Sequence, residues 1–135
     1  MKKAIVVGAT SGLGRSLALM LAADNYQVGI TGRRAALLDE LSGQAPHSFI
    51  AEVCDVTDTG SITGHLDKLV DKLGGLDLLL LCAGTGDINH ELDFSIEKMT
   101  IDTNVTGFTA VCDWAFNLFR TRGQGHLTAI TSIGG

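Results

Sequence analysis

Five short apolar runs, separated by stretches of helical period, leave this chain few folds to choose from. Ala4-Ile5-Val6-Val7 is an unbroken β-favouring run that stops at Gly8. A strand with one wet face alternates polar and apolar residues, whereas an unbroken run is expected of a strand covered on both faces. Gln27 to Thr31, Ser48 to Val53, Asp77 to Leu81 and His126 to Thr131 are read as further strands. Between them the period changes to that of a helix. Leu13, Leu17, Met20 and Leu21 form one such set, and Leu37, Leu38 and Leu41 a second. Ile62, Leu66, Leu69 and Leu73 form a third, with Asp58 or Ser61 as its cap. A fourth, read as one long segment from about Ile96 to Arg120, carries Val105, Phe108, Val111, Ala115, Phe116 and Phe119. Strands alternating with helices require crossovers, and crossovers make a parallel sheet with helices on both sides. The expectation is one α/β domain, residues 1–135, with a doubly wound parallel sheet of about five strands. In such sheets ligands bind beyond the carboxyl ends of the strands, where strand order reverses.

Composition narrows the partners. With 45% hydrophobic residues and a single proline in 135 residues, the chain can bury a core and is neither disordered nor collagen-like. Its 10 Lys+Arg against 15 Asp+Glu give a net charge of −5, a field that repels nucleic acid. Cys54, Cys82 and Cys112 are odd in number and form no C-x-x-C pair, which fits buried thiols in a reducing compartment. The apolar runs at Ala4 to Val7 and Leu78 to Ala83 are too short for a signal-peptide core or a bilayer span. A soluble, cytoplasmic protein is expected, with no membrane and no nucleic-acid partner. His47, His65, His90 and His126 have no ligand-like spacing, so no metal site is expected.

The turn after the first strand reads Gly8-Ala9-Thr10-Ser11-Gly12-Leu13-Gly14. Glycines between a buried strand and a helix let backbone approach a ligand, and the helix start offers N–H groups and partial positive charge to a phosphate. Thr10 and Ser11 add hydroxyl donors. A glycine-rich turn that merely packs strand on helix is the competing reading; the position, first unit of the chain with strand before and helix after, favours phosphate. The spacing is not the common G-x-G-x-x-G, and no Lys-Ser/Thr follows to make a P-loop.

That Gly-x-x-x-Gly-x-Gly spacing resembles the short-chain dehydrogenase/reductase family, and segments after the later strands extend the resemblance. Val7 stands where the family commonly has threonine, which costs a local hydrogen bond. After the second strand comes Thr31-Gly32-Arg33-Arg34. NAD-preferring members usually place an acid at the position of Gly32; Arg33 and Arg34 suit a 2′-phosphate through charge-assisted bonds. Two cations at a helix start otherwise oppose its dipole. Cys54-Asp55-Val56-Thr57-Asp58 is similar to the family's Asp-Val segment, which implies that Asp55 accepts from the adenine amine and Val56 packs on the ring, with Asp58 left as a helix cap. Leu81-Cys82-Ala83-Gly84 matches Asn-Asn-Ala-Gly at Ala83 and Gly84 only; Cys82 reads as a small buried thiol beside the cofactor. Asn104-Val105-Thr106-Gly107 resembles Asn-x-x-Gly, implying that Asn104 holds a water in a proton relay, against the plainer reading of a satisfied core amide. Ile130-Thr131-Ser132-Ile133-Gly134-Gly135 resembles the segment whose second serine contacts the substrate carbonyl, which falls on Ser132; alone, a serine here is more often a turn residue.

The resemblance implies a Rossmann-type sheet of order 3-2-1-4-5, NADP(H) as favoured cofactor with NAD(H) the alternative, and hydride exchange with a small-molecule carbonyl or alcohol. The family's proton donor is a tyrosine in Tyr-x-x-x-Lys beyond the serine. No such motif occurs here: the only tyrosine is Tyr26, and the chain ends three residues after Ser132. The expectation is therefore an inactive fragment of a longer reductase, cut before the sixth and seventh strands, with exposed apolar surface. The full-length protein is expected to form a dimer or tetramer through the long helix. A non-catalytic dinucleotide-binding or interaction module on the same fold is the alternative.

Overall fold

A computed structural model describes residues 1–10 and 12–131 of the chain. Strands β1 (Lys3–Val7), β2 (Gln27–Gly32), β3 (Phe49–Val53), β4 (Leu78–Leu81) and β5 (His126–Ala129) form one sheet of order β3-β2-β1-β4-β5. Every pairing is parallel: Val6 lies between Ile30 of β2 and Leu80 of β4. The chain runs outward from β1 to β3, crosses back and continues outward through β4 and β5, so order reverses between β1 and β4. This is the expected Rossmann-type α/β topology.

Helices α1 (Gly12–Ala23) and α2 (Ala35–Gln44) pack on one face of the sheet, and α3 (Ile62–Leu73) and α5 (Phe108–Arg122) on the other. Alternate residues of β1 therefore enter different cores: Ile5 and Val7 meet the α3 and α5 side chains, and Val6 meets those of α1 and α2. Ala4 through Val7 are completely buried, as an apolar run covered on both faces requires. Each fully buried large side chain contributes roughly 1.5–3 kcal/mol of transfer free energy. Among the described residues no helix is long and apolar enough to cross a membrane.

The expected α3 face is observed, with Ile62, Leu66 and Leu69 at 0% exposure and Leu73 at 3%. Its cap differs. Neither Asp58 nor Ser61 presents a side-chain oxygen to a helix N–H; the Ser61 hydroxyl donates to Asp58 Oδ2 (2.7 Å), and the Asp58 carbonyl accepts from Ser61 and Ile62 N–H. Of the expected α1 face, Leu17 and Leu21 pack partly buried against the core, and the rest is displaced. Leu13 and Met20 are 64% and 66% exposed, and the buried positions are Gly14 and Ala18. Small residues let this helix lie close on the sheet, so its contact line falls where hydrophobicity alone does not put it.

The long helical segment begins earlier than expected, at Phe94, where the Asp93 carboxylate accepts the Ser95 N–H (2.9 Å) and hydroxyl (2.8 Å). These bonds hold the Asp93 carboxyl below its ordinary pKa. After α4 (Phe94–Ile101) the backbone widens to a π-helical stretch, Asp102–Gly107, and tightens again into α5. Val111, Ala115 and Phe119 face the core, while Val105 and Phe116 are exposed.

Candidate functional site

At the carboxyl ends of β1 to β4 the chain leaves an open cleft of about 150 Å³. Its wall is made by Gly8 and Thr10 after β1, Thr31 to Arg34 at the end of β2, Cys54 to Val56 after β3, and Cys82 to Thr85 after β4, with Met99 and Thr103 from the helix above. It straddles the point where strand order reverses, the position at which such sheets accept ligands.

Backbone proximity defines its floor. Gly8 has φ +86°, and a Cβ there would stand 2.6 Å from the Ala83 nitrogen. No other residue type fits, so the turns after β1 and β4 meet directly. Gly14 lies beneath this turn, where a Cβ would run into the Gly8 carbonyl oxygen. Gly12 and Leu13 begin α1 in exposed positions beside the cleft rather than in its wall.

Two cations mark one end. Arg33 and Arg34 are exposed, and among the described residues neither has an ion-pair partner. Arg34 stands at the N-cap of α2, where its carbonyl accepts the Leu38 N–H (3.2 Å) and its side chain makes no cap bond. Gly32 presents no side chain toward them, and a Cβ there would collide with the Thr10 methyl group. An acid at this position is thus excluded unless Thr10 moves.

Asp55 accepts from the Thr57 N–H (2.9 Å) and hydroxyl (2.8 Å) through Oδ1 alone, which fixes the carboxylate at the cleft wall. Burial pushes the Cys54 thiol up to about 11, against a smaller opposing pull from the Thr31 hydroxyl. Burial also raises Cys82. Both shifts favour the thiol over the thiolate and so work against nucleophilic reactivity at either cysteine.

Asn104 sits in the π-helical stretch outside the cleft wall. Its amide makes a paired contact with the backbone of one residue: Oδ1 accepts the Thr85 N–H (3.0 Å) and Nδ2 donates to the Thr85 carbonyl (2.7 Å). Three residues on, a Cβ at Gly107 would stand 2.6 Å from the Val56 carbonyl oxygen. The Asn-x-x-Gly segment thereby ties the loop after β4 to the loop after β3.

The structure thus gathers Gly8, Thr10, Arg33, Arg34, Asp55, Val56, Cys82, Ala83 and Gly84 in one cleft, leaving Gly12, Leu13, Gly14 and Asn104 outside its wall. Ser11 and Ser132 lie outside the described residues. Sequence reasoning missed Thr31, Cys54 and Thr85, each within two positions of a named residue, and Met99 and Thr103. Met99 and Thr103 are four apart on one helical face, a spacing that could have been read from the sequence.

A family model described as short chain dehydrogenase matches residues 2–135. An uncharacterized oxidoreductase of Myxococcus xanthus is 34% identical over 139 residues, covering 99% of this chain and 55% of the relative. A 3-ketoacyl-ACP reductase from Sinorhizobium meliloti superposes with TM-score 0.87 at 31% identity, over 97% of this chain and 54% of the other. A variant of actinorhodin polyketide ketoreductase with NADPH gives TM-score 0.88 at 27% identity, over 97% of this chain and 53% of the other. The chain spans about half the length of the curated relatives it matches.

Proposed function

The chain belongs to the short-chain dehydrogenase family, and from that premise we propose that the whole protein is an NADP(H)-dependent oxidoreductase interconverting a small-molecule carbonyl and its alcohol. The observation that carries the reading is the cleft itself, where backbone at Gly8 and Ala83 meets two cations without ion-pair partners among the described residues.

The residues present fit a dinucleotide phosphate. Gly8 and Gly12 leave the cradle free of Cβ atoms while the start of α1 offers its N–H groups to the pyrophosphate, aided by Thr10 and Ser11. Arg33 and Arg34 hold the 2′-phosphate, and the bare Gly32 removes the acid that would select NAD(H). Asp55 keeps Oδ2 available for the adenine amine, beside Val56. Cys82, Ala83 and Gly84 line the ribose side. The bound nicotinamide supplies the hydride chemistry; the protein's part is orientation and proton transfer. Asn104 retains one N–H and one oxygen lone pair for a relay water while it fixes Thr85. Ser132 polarises the substrate carbonyl.

The exposed Val105 and Phe116 suit a homo-oligomeric contact in the full-length protein, a dimer or tetramer. The three free thiols agree with a cytoplasmic location. Residues 1–135 contain no Tyr-x-x-x-Lys, so this chain alone is expected to bind NADPH without oxidising it. Following nucleotide absorbance while a panel of aldehydes and ketones is added tests this. No substrate-dependent change is expected, and carbonyl-dependent oxidation by chain 1–135 would contradict the assignment of proton transfer to such a motif.

A further inference from the structure

Thr31 is one of two polar or charged residues found buried among the described residues, at 1% exposure, and it is the penultimate residue of β2 rather than a residue of the first strand. Its hydroxyl oxygen accepts the Gly8 N–H (3.3 Å), and its carbonyl accepts the Ala9 N–H (2.8 Å). Two successive N–H groups of the glycine turn are therefore held by one residue of the neighbouring strand. On the first strand the position before Gly8 is Val7, which has no hydroxyl to offer the turn.

We infer that Thr31 is the positioning residue of the phosphate-binding turn, its side chain supplying across the sheet the hydrogen bond that Val7 cannot supply within the turn. The inference rests on the dinucleotide reading of the cleft. Gly8 has φ +86°, so its peptide plane can rotate more freely than that of any residue with a side chain, and a fixed N–H is what holds its orientation. Without the hydroxyl, the Gly8 N–H is a part-buried donor that has lost its partner, and the turn relieves this by rotating away from the conformation that admits a pyrophosphate. The same hydroxyl acts on the Cys54 thiol, lowering its pKa against the larger effect of burial, so it faces both the turn and the post-β3 wall.

The test compares wild-type chain 1–135 with Thr31→Val, which keeps the shape, and Thr31→Ser, which keeps the hydroxyl. Each is titrated calorimetrically with NADPH and with adenosine 2′-monophosphate, which has no pyrophosphate. The expected result is a loss of tenfold or more in NADPH affinity for Thr31→Val, unchanged affinity for adenosine 2′-monophosphate, and wild-type behaviour of Thr31→Ser. Equal NADPH affinity in Thr31→Val, or a parallel loss for both ligands, overturns the inference while leaving the cleft assignment standing. Failure of the wild-type chain to bind either ligand overturns the dinucleotide reading, and the inference with it.

Discussion

The turns after β1 and β4 lie in backbone contact at the floor of one cleft, yet they are held in different ways. The Gly8 turn is held by what it lacks: without Cβ atoms it can fold tightly against Ala83 and Gly14, with Thr31 securing its N–H groups. The segment from Cys82 to Thr85 carries ordinary residues at three of its four positions and is held by a side chain from elsewhere, the Asn104 amide, nineteen residues from Thr85. A turn built on close approach fails sterically when altered. A turn built on a tether loosens while the rest of the sheet stays intact.

Substitutions can break that contrast. Gly8→Ala meets both the positive φ and the Ala83 backbone, and is expected to cost about 3 kcal/mol or more of unfolding free energy, measured by urea denaturation. A cost below that of an ordinary surface change would mean that the turns do not touch. Gly107→Ala drives a methyl group toward the Val56 carbonyl, for an expected loss of roughly 2 kcal/mol and a lower melting temperature. Asn104→Ala removes two hydrogen bonds at the tether, about 1–2 kcal/mol. Amide exchange should then accelerate at Thr85 and not at Gly8; equal acceleration at both would erase the distinction.

A smaller effect lies away from both turns. Glu52 of β3 is buried, accepts from His65 Nδ1 (2.8 Å) and lies 3.5 Å from Lys68 Nζ. Burial alone would raise its carboxyl, but the His65 bond and the Lys68, His65 and Lys72 charges outweigh it and hold the pKa below its ordinary value. A lowered acid stabilises the fold above its ordinary pKa, and that contribution is lost as pH falls through the lowered value. Glu52→Gln should cost about 1 kcal/mol at neutral pH and flatten stability between pH 5 and the acid limit, with both turns unaffected. An unchanged acid limb in the melting curve would remove Glu52 from the account.

The same contrast explains what could be read from the sequence. Strand number was legible because burial on both faces writes itself as unbroken runs such as Ala4 to Val7, whereas strand order came with the family resemblance. The glycine turn and Arg33-Arg34 were legible because their chemistry is local to a few residues. The buried face of α1 was legible only at Leu17 and Leu21, because contact through Gly14 and Ala18 leaves no hydrophobic signature while exposed Leu13 and Met20 leave a false one. The parts played by Thr31 and Thr85 were hidden for another reason: their hydrogen bonds span 23 and 19 positions and exist only once the sheet has formed.

The central claim is that this cleft binds a dinucleotide and that Arg33 and Arg34 select its 2′-phosphate. Titrating chain 1–135 with NADPH and with NADH, followed by nucleotide fluorescence, tests it most directly. Saturable binding of both is expected, with NADPH tighter by tenfold or more, a difference of about 1.4 kcal/mol. Equal affinities would contradict the role of the two arginines, and no saturable binding of either would contradict the cleft.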